Sequence, residues 1–157
     1  MSKLEFSQTD QQTVIRHKGM DLLARREHSR LELARKLLQR FPDESSLIDE
    51  VLDGLQADNL QSDLRFAESF LRARVSRGQG PQRIIVELQQ RGVSTSNIDV
   101  VLQECDVDWY AQAAAVFSRK YPGKIQGFSE RAKCRRFLQY RGFDMEQINT
   151  VMKGDIN

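Results

Sequence analysis

The chain copies itself, and the copying constrains its fold more than any other property. Shifting the sequence by 50 residues lays Ile84, Leu88, Arg91, Gly92, Ile98, Val101 and Leu102 onto Cys134, Leu138, Arg141, Gly142, Ile148, Val151 and Met152. Shifting backward by 51 lays Leu88, Ile84, Arg91 and Gly80 onto Leu37, Leu33, Arg40 and Ser29. A backward shift of 50 carries Ile98 and Val101 onto Ile48 and Val51, so the first copy's loop is one residue longer. Phe66-Ala67 answers to Tyr110-Ala111, a shift of 44, which leaves about six extra residues between the first two elements of the third copy. A repeat of this period means one supersecondary unit per copy. A single unit buries little apolar surface, so the units stack and share a core.

Each copy reads as three helices. In the middle copy, Phe66, Ala67, Phe70 and Ala73 form one apolar stripe of a first helix, and Gly78-Gln79-Gly80-Pro81 stops it. Pro81 suits the first position of a second helix, whose N–H has no partner within the helix in any case. Ile84, Ile85 and Leu88 make its stripe, and Gly92 supplies a left-handed C-terminal residue. Ile84-Ile85-Val86 is β-branched and would suit a strand taken alone; the caps and the repeat predict helix. Ile98, Val101 and Leu102 mark the third helix.

The other copies follow. Residues 1–10 are expected as an N-terminal tail, 11–57 as repeat one, 58–105 as repeat two and 106–157 as repeat three. Repeat one opens with a helix over 11–27 marked by Val14, Ile15, Leu22 and Leu23. Ser29 and Glu32 form a capping box for a second helix bearing Leu33, Leu37 and Leu38. A third helix spans about 44–55, with Leu47, Ile48, Val51, Leu52 and Leu55. In repeat three a helix over 106–121 is organised around Trp109, Tyr110, Ala113, Ala114 and Phe117 and breaks at Pro122-Gly123. Ser129 is the expected N-cap of a helix with Cys134, Phe137 and Leu138. The last helix, over 145–152, carries Ile148 and Val151. The predicted fold class is all-α: three tandem three-helix repeats in an elongated, curved array.

Charge repeats with the helices. Residues 16–40 hold eight Lys/Arg against three Asp/Glu, and 41–58 hold none against six. Residues 65–91 hold six against two, and 92–108 none against four. Residues 119–141 hold eight against one. The first two helices of every copy are basic and the third is acidic. A solvated surface with pairs such as Glu68–Arg72 is the plainer account, each pair contributing about 0.3–0.5 kcal/mol; it does not predict one alternation three times. The overall charge of +2 conceals this distribution.

Other classes are disfavoured. Residues 1–12 lack the apolar run of a signal peptide. The longest uncharged stretch, 109–118, is far short of the roughly 20 residues a membrane span needs. Cys105 and Cys134 are expected as reduced thiols in a cytoplasmic protein. Gly78-Gln79-Gly80 lacks the Lys-Ser/Thr of a phosphate-binding loop. His17 and His28 have no ligand-spaced partners, so no metal site is expected. Asp43, Glu44, Asp49 and Glu50 read as a solvated helix start and face. No catalytic constellation and no cofactor motif emerges.

With these pieces in order, the sequence resembles the RecX family of bacterial RecA regulators. Ala24–Leu37 (ARREHSRLELARKL) matches the family's Arg–x–His–Ser…Glu-Leu…Lys-Leu segment. Leu60–Val93 matches its best-marked segment, including Arg65-Phe66-Ala67 and Gly80-Pro81-x-Arg83-Ile84. Glu104–Ala111 and Arg135–Phe143 resemble the third unit of longer members. One departure is local: Gln61 and Ser62 follow Leu60 where the family usually has an acidic residue. The resemblance implies a non-enzymatic, monomeric regulator that lies along the groove of a RecA–DNA filament. It implies inhibition of ATP hydrolysis, strand exchange and filament growth, and with that modulation of homologous recombination, DNA repair and the SOS response.

The candidate partner-binding residues are Arg65, Arg72, Arg74, Arg77 and Arg83 in the middle unit, and Arg131, Lys133, Arg135 and Arg136 in the last. Guanidinium groups pair bidentately with carboxylates or phosphates. The alternative function is direct DNA binding through basic helices of helix-turn-helix-like units. The low net charge and the acidic third helices argue against tight binding of that kind.

Overall fold

A computed structural model describes residues 3–154, with side chains described from residue 8. The described residues form nine α-helices in chain order and no strand. They are α1 (Lys3–Arg25), α2 (Arg30–Arg40), α3 (Ser45–Ala57), α4 (Asp63–Ser76), α5 (Pro81–Gln90), α6 (Thr95–Glu104), α7 (Trp109–Lys120), α8 (Gly127–Arg141) and α9 (Met145–Gly154). Ile84-Ile85-Val86 is helical. Ile84 is fully buried and Val86 half exposed, as a 3.6-residue period requires and an alternating strand does not. Pro81 is the first residue of α5.

By contacts the chain divides into two compact units. One takes in the described residues up to Ser69 together with Arg91–Ile98; the other takes Phe70–Gln90 and the described residues from Asp99 onward. In the first, α1, α2 and α3 pack on one another around Ile15, Leu22, Leu33, Leu37, Ile48 and Leu52. In the second, α7, α8 and α9 pack around Phe117, Cys134, Leu138, Phe143, Ile148 and Met152. Enclosing a side chain the size of Leu37 or Leu138 contributes about 1.5–3 kcal/mol. Cys105 and Cys134 are not disulfide-bonded, and Cys134 is a core residue as its repeat position predicts.

Five expectations are corrected. Residues 3–10, expected in a tail, belong to α1, while Met1 and Ser2 lie outside the described residues. Extending a helix already anchored at Ile15 and Leu22 needs no new nucleus, and Thr13 Oγ1 donates to the Thr9 carbonyl. Val14, expected on the stripe of α1, is exposed. The stripe of α4 runs through Phe66, Ala67 and Leu71, whereas Ala73 is exposed. In α7 the buried positions are Ala113, Val116 and Phe117, with Tyr110 and Ala114 outside. The N-cap of α8 is Gln126, not Ser129; its N–H donates to Glu130 Oε2 at 2.8 Å.

Two helix starts govern the joints. Ser29 caps α2 as expected. Its Oγ accepts from Glu32 N at 3.1 Å, and its own N–H donates to Glu32 Oε1 at 3.1 Å. Asp63 Oδ1 accepts from Arg30 N at 2.8 Å and from Gln61 Nε2 at 2.9 Å. Ser62 Oγ accepts from Arg65 N, so the departure at Gln61-Ser62 still supplies a cap for α4. At α5 the corresponding residue is Gly80, which has no side chain to offer. The carbonyls of Arg141 and Gly142 take its place, accepting from Gly80 N and Gln82 N, both at 2.8 Å. A Cβ on Gly80 would lie 2.6 Å from the Gly142 carbonyl carbon. Gly142 has φ +101°, and a Cβ there would lie 2.4 Å from Arg83 Cβ.

Candidate partner-binding surface

The nine cationic residues singled out from the sequence do not form one class. Arg65 is a structural residue: its guanidinium reaches Glu27 Oε1 at 3.2 Å, Asn59 Oδ1 at 2.9 Å and the Asn59 carbonyl at 2.9 Å. Arg74 pairs with Glu87 Oε2 at 3.2 Å, both side chains being less than a fifth exposed, and lies 4.5 Å over the Phe70 ring. Arg83 shares Glu87 at 3.4 Å and lies 5.1 Å from the Tyr140 ring centroid. Arg131 Nη2 donates to the Met152 carbonyl at 3.4 Å, and Arg135 Nη1 to Asn149 Oδ1 at 2.8 Å. These five side chains are committed to internal partners.

Arg72, Arg77, Lys133 and Arg136 are exposed and make no ion pair among the described residues. They are the members of the set free to meet a partner with the whole charged group. The split follows from helix geometry. Arg74 and Glu87 face each other from α4 and α5, while Arg72 sits two residues earlier on α4, and residues two apart do not share a face.

A second arrangement joins Arg77 to residues the sequence did not single out. Arg77, Arg119, Lys120 and Arg141 surround a cleft of about 190 Å³ with Phe137 in its wall. Arg141 lies 5.2 Å and Lys120 6.0 Å from the Phe137 ring centroid. Arg141 Nη1 donates to the Arg77 carbonyl at 2.9 Å. No acidic side chain lines the cleft. Arg119, Lys120 and Arg141 fall within the basic block over 119–141, but only the packing of α7 against α8 brings them together.

Among the described residues no group of three or more His, Cys, Asp or Glu could hold a metal ion. No helix among them is long and apolar enough to cross a membrane. Fold and surface thus define an all-α protein of tandem three-helix domains with exposed cationic side chains on its middle and last units.

Comparison with known proteins gives the class its family. The first three-helix domain of RecX matches residues 16–55, the second 62–102 and the third 106–152. The regulatory protein RecX of Pseudomonas fluorescens is 46% identical over 147 residues, covering 92% of this chain and 94% of that one. That of Pseudomonas entomophila is 48% identical over 147 residues, with the same coverage. The crystal structure of RecX from Lactobacillus salivarius superimposes with a TM-score of 0.78 at 20% identity, covering 94% of this chain and 98% of that one. The chain belongs to the RecX family, whose members are named regulatory proteins.

Proposed function

We propose that this chain regulates a RecA recombinase by docking on the RecA–DNA filament, slowing its ATP hydrolysis, strand exchange and growth. Such an activity modulates homologous recombination, DNA repair and the SOS response. It requires a cytoplasmic protein, which we take to act as a monomer without cofactor or catalytic step. The observation that carries this reading is membership of the RecX family along nearly the whole chain, all three domains included.

The surface supports it and narrows the contact set. Arg72, Lys133 and Arg136 have unpaired charged groups on the outside of the middle and last units. Arg65, Arg74, Arg83, Arg131 and Arg135 hold the fold and act on a partner only through the part of each group left exposed. RecA's DNA-dependent ATPase is the test. With Arg72, Lys133 and Arg136 all changed to Ala, the concentration needed for half-inhibition is expected to rise at least tenfold. Undiminished inhibition removes them from the interface, and no inhibition by the unaltered protein removes the proposed function.

A further inference from the structure

We propose that the cleft between the end of α3 and the starts of α4 and α6 receives one arginine side chain of a protein partner, with Asp63 and Gln61 as its recognition groups. This contact lies apart from the cationic residues assigned to RecA docking and has the opposite charge sense.

The cleft holds about 290 Å³, and its lining includes Gln56, Asn59, Gln61, Asp63, Leu64 and Asn97. All six belong to the first compact unit. Gln61 is only 2% exposed. Its Nε2 donates to the His28 carbonyl at 3.3 Å and to Asp63 Oδ1 at 2.9 Å, which uses both amide hydrogens and fixes the group's orientation. The amide oxygen, Oε1, is left without a partner among the described residues on a side chain that lines the cavity. Buried amide oxygens in folded proteins almost always accept a bond. Asp63 is half used in the same way. Oδ1 accepts from Arg30 N and from Gln61, while Oδ2 accepts from no described residue.

The wall is anionic. Asp63 is the one charged residue among the described residues that line it. The neighbouring cations are committed elsewhere, Arg30 to Asp53 at 2.8 Å and Arg65 to Glu27 at 3.2 Å. No aromatic side chain in the lining offers a platform for a nucleobase, and the carboxylate repels a phosphate.

The chemistry selects the occupant. Two acceptors, one of them charged, come from positions two apart in the chain and need donors without acceptors. A guanidinium carries five N–H groups in one plane and accepts nothing, so one group serves both oxygens; an ammonium supplies only a point charge. Leu64 gives the methylene stem an apolar wall. The exposed residues Gln56 and Asn59 supply the opposite polarity. Their oxygens already accept from Arg30 Nη1 at 3.2 Å and Arg65 Nη1 at 2.9 Å, so their amide nitrogens remain as donors. Such donors suit the main-chain carbonyls that flank an arginine within a peptide. A free alkylguanidinium has none to offer.

The test is NMR titration of the side-chain amide resonances of Gln56, Asn59, Gln61 and Asn97 in the full chain, without RecA. The probe is arginine capped as N-acetyl and N-methylamide. Saturable shifts of these four resonances are expected, with a dissociation constant on the order of 1 mM for a probe of so few atoms. Capped citrulline, neutral and nearly isosteric, should bind roughly tenfold more weakly, because the charge-assisted bond to Asp63 is lost. Asp63→Asn should weaken the arginine probe by a similar factor, roughly tenfold. Because Asp63 also accepts from Arg30 N, a second pair of variants acts at half-buried Asn97. Asn97→Lys should weaken binding roughly tenfold and Asn97→Asp tighten it roughly threefold, with unchanged thermal melting in both. Opposite signs at one position are not produced by a structural role. Absence of shifts, citrulline binding as tightly as arginine, or both Asn97 variants moving affinity the same way overturns the proposal. So does agmatine binding as tightly as the capped residue, which points to a free small molecule. So does displacement of the probe by equimolar magnesium, which points to an ion site.

Discussion

The second helices of the first two repeats begin at equivalent positions and are capped by opposite means. α2 carries its cap in its own sequence, with Ser29 and Glu32 closing a reciprocal box and Asp63 reinforcing it. α5 carries nothing, and the carbonyls at the end of α8 do the work through Gly80 N and Gln82 N. A helix start leaves N–H groups without partners, and something must accept from them. In one copy the acceptor is a side chain a few residues away; in the other it is backbone about 60 residues on. The first helix start is thus local in origin, and the second exists in this form only once the last repeat has folded against it.

That contrast can be broken most severely at Gly142. Gly142→Ala forces a left-handed conformation on an L-residue, about 1–2 kcal/mol, and drives a methyl to 2.4 Å from Arg83 Cβ. A total loss of about 2–4 kcal/mol is expected in urea unfolding, overpacking adding about 1–3 kcal/mol to the backbone term. A loss below 1 kcal/mol would mean that α8 does not abut α5 as described. Gly80→Ala comes next, at about 1–3 kcal/mol, because its methyl meets the Gly142 backbone rather than a side chain that can turn aside. Gly80→Ser tests the contrast itself: supplying α5 with the cap residue of α2 should still destabilise.

At the other helix start, Ser29→Ala should cost about 1 kcal/mol and Ser29→Gly only a few tenths, since glycine is a tolerated N-cap. Equal costs for the two would show that Ser29 acts through its packing.

Acid should discriminate between the two ends. His28 is buried beside the cap. Its Nδ1 lies 3.0 Å from the Arg26 carbonyl and its Nε2 3.0 Å from Lys36 Nζ. Burial pushes its pKa below the ordinary 6.5, the Arg26 and Lys36 charges push the same way, and the Arg26 carbonyl and Glu32 oppose. The unfolded chain therefore takes up a proton near 6.5 that the folded chain still refuses, so stability falls as pH drops from about 6.5 to the folded value. Burial raises the pKa of Glu32, but the bonds from Arg26 and Ser29 N and the nearby positive charges outweigh it and leave it below 4.5. Its contribution is whole above 4.5 and disappears as pH falls through the lower folded value. Hydrogen exchange should show α2 amides losing protection between pH 7.5 and 5.5, with α5 amides changing less; His28→Gln should flatten the difference. Identical behaviour of the two helices would remove the electrostatic part of the contrast.

The smallest effect is expected at Arg16–Asp58, a 2.8 Å pair near the end of α3 with both side chains a third or more exposed. Asp58→Asn should change stability by about 0.5 kcal/mol or less. A larger loss would mark Asp58 as part of the helix end, where its N–H meets the Gly54 carbonyl.

Much of this was legible in the chain alone, and particular residues show why. Gly92 and Gly142 announce left-handed helix ends, Pro81 a helix start, and Ser29 with Glu32 a capping box; all four depend on neighbours within a few positions. Leu33, Leu37, Leu88 and Leu138 reveal the core by their period. Other readings failed where periodicity is ambiguous. Ala73 and Leu71 both fit an apolar stripe on α4, and packing chose Leu71. The candidate contact set blurred for a related cause. Arg72 and Arg74 look alike in sequence, yet Arg74 turns to Glu87 and Arg72 to solvent.

By itself the sequence determined nine helical stretches, their threefold repetition and their alternating charge, because hydrophobic period, caps and breakers are properties of short windows. Tertiary structure alone decided which arginines are spent on Glu27 and Glu87 and which stay free. It also brought Arg77, Arg119, Lys120 and Arg141 around one cleft, and it let a carbonyl of Gly142 replace the side chain that Gly80 lacks. Those outcomes depend on distances between residues far apart in the chain, and no local window contains them.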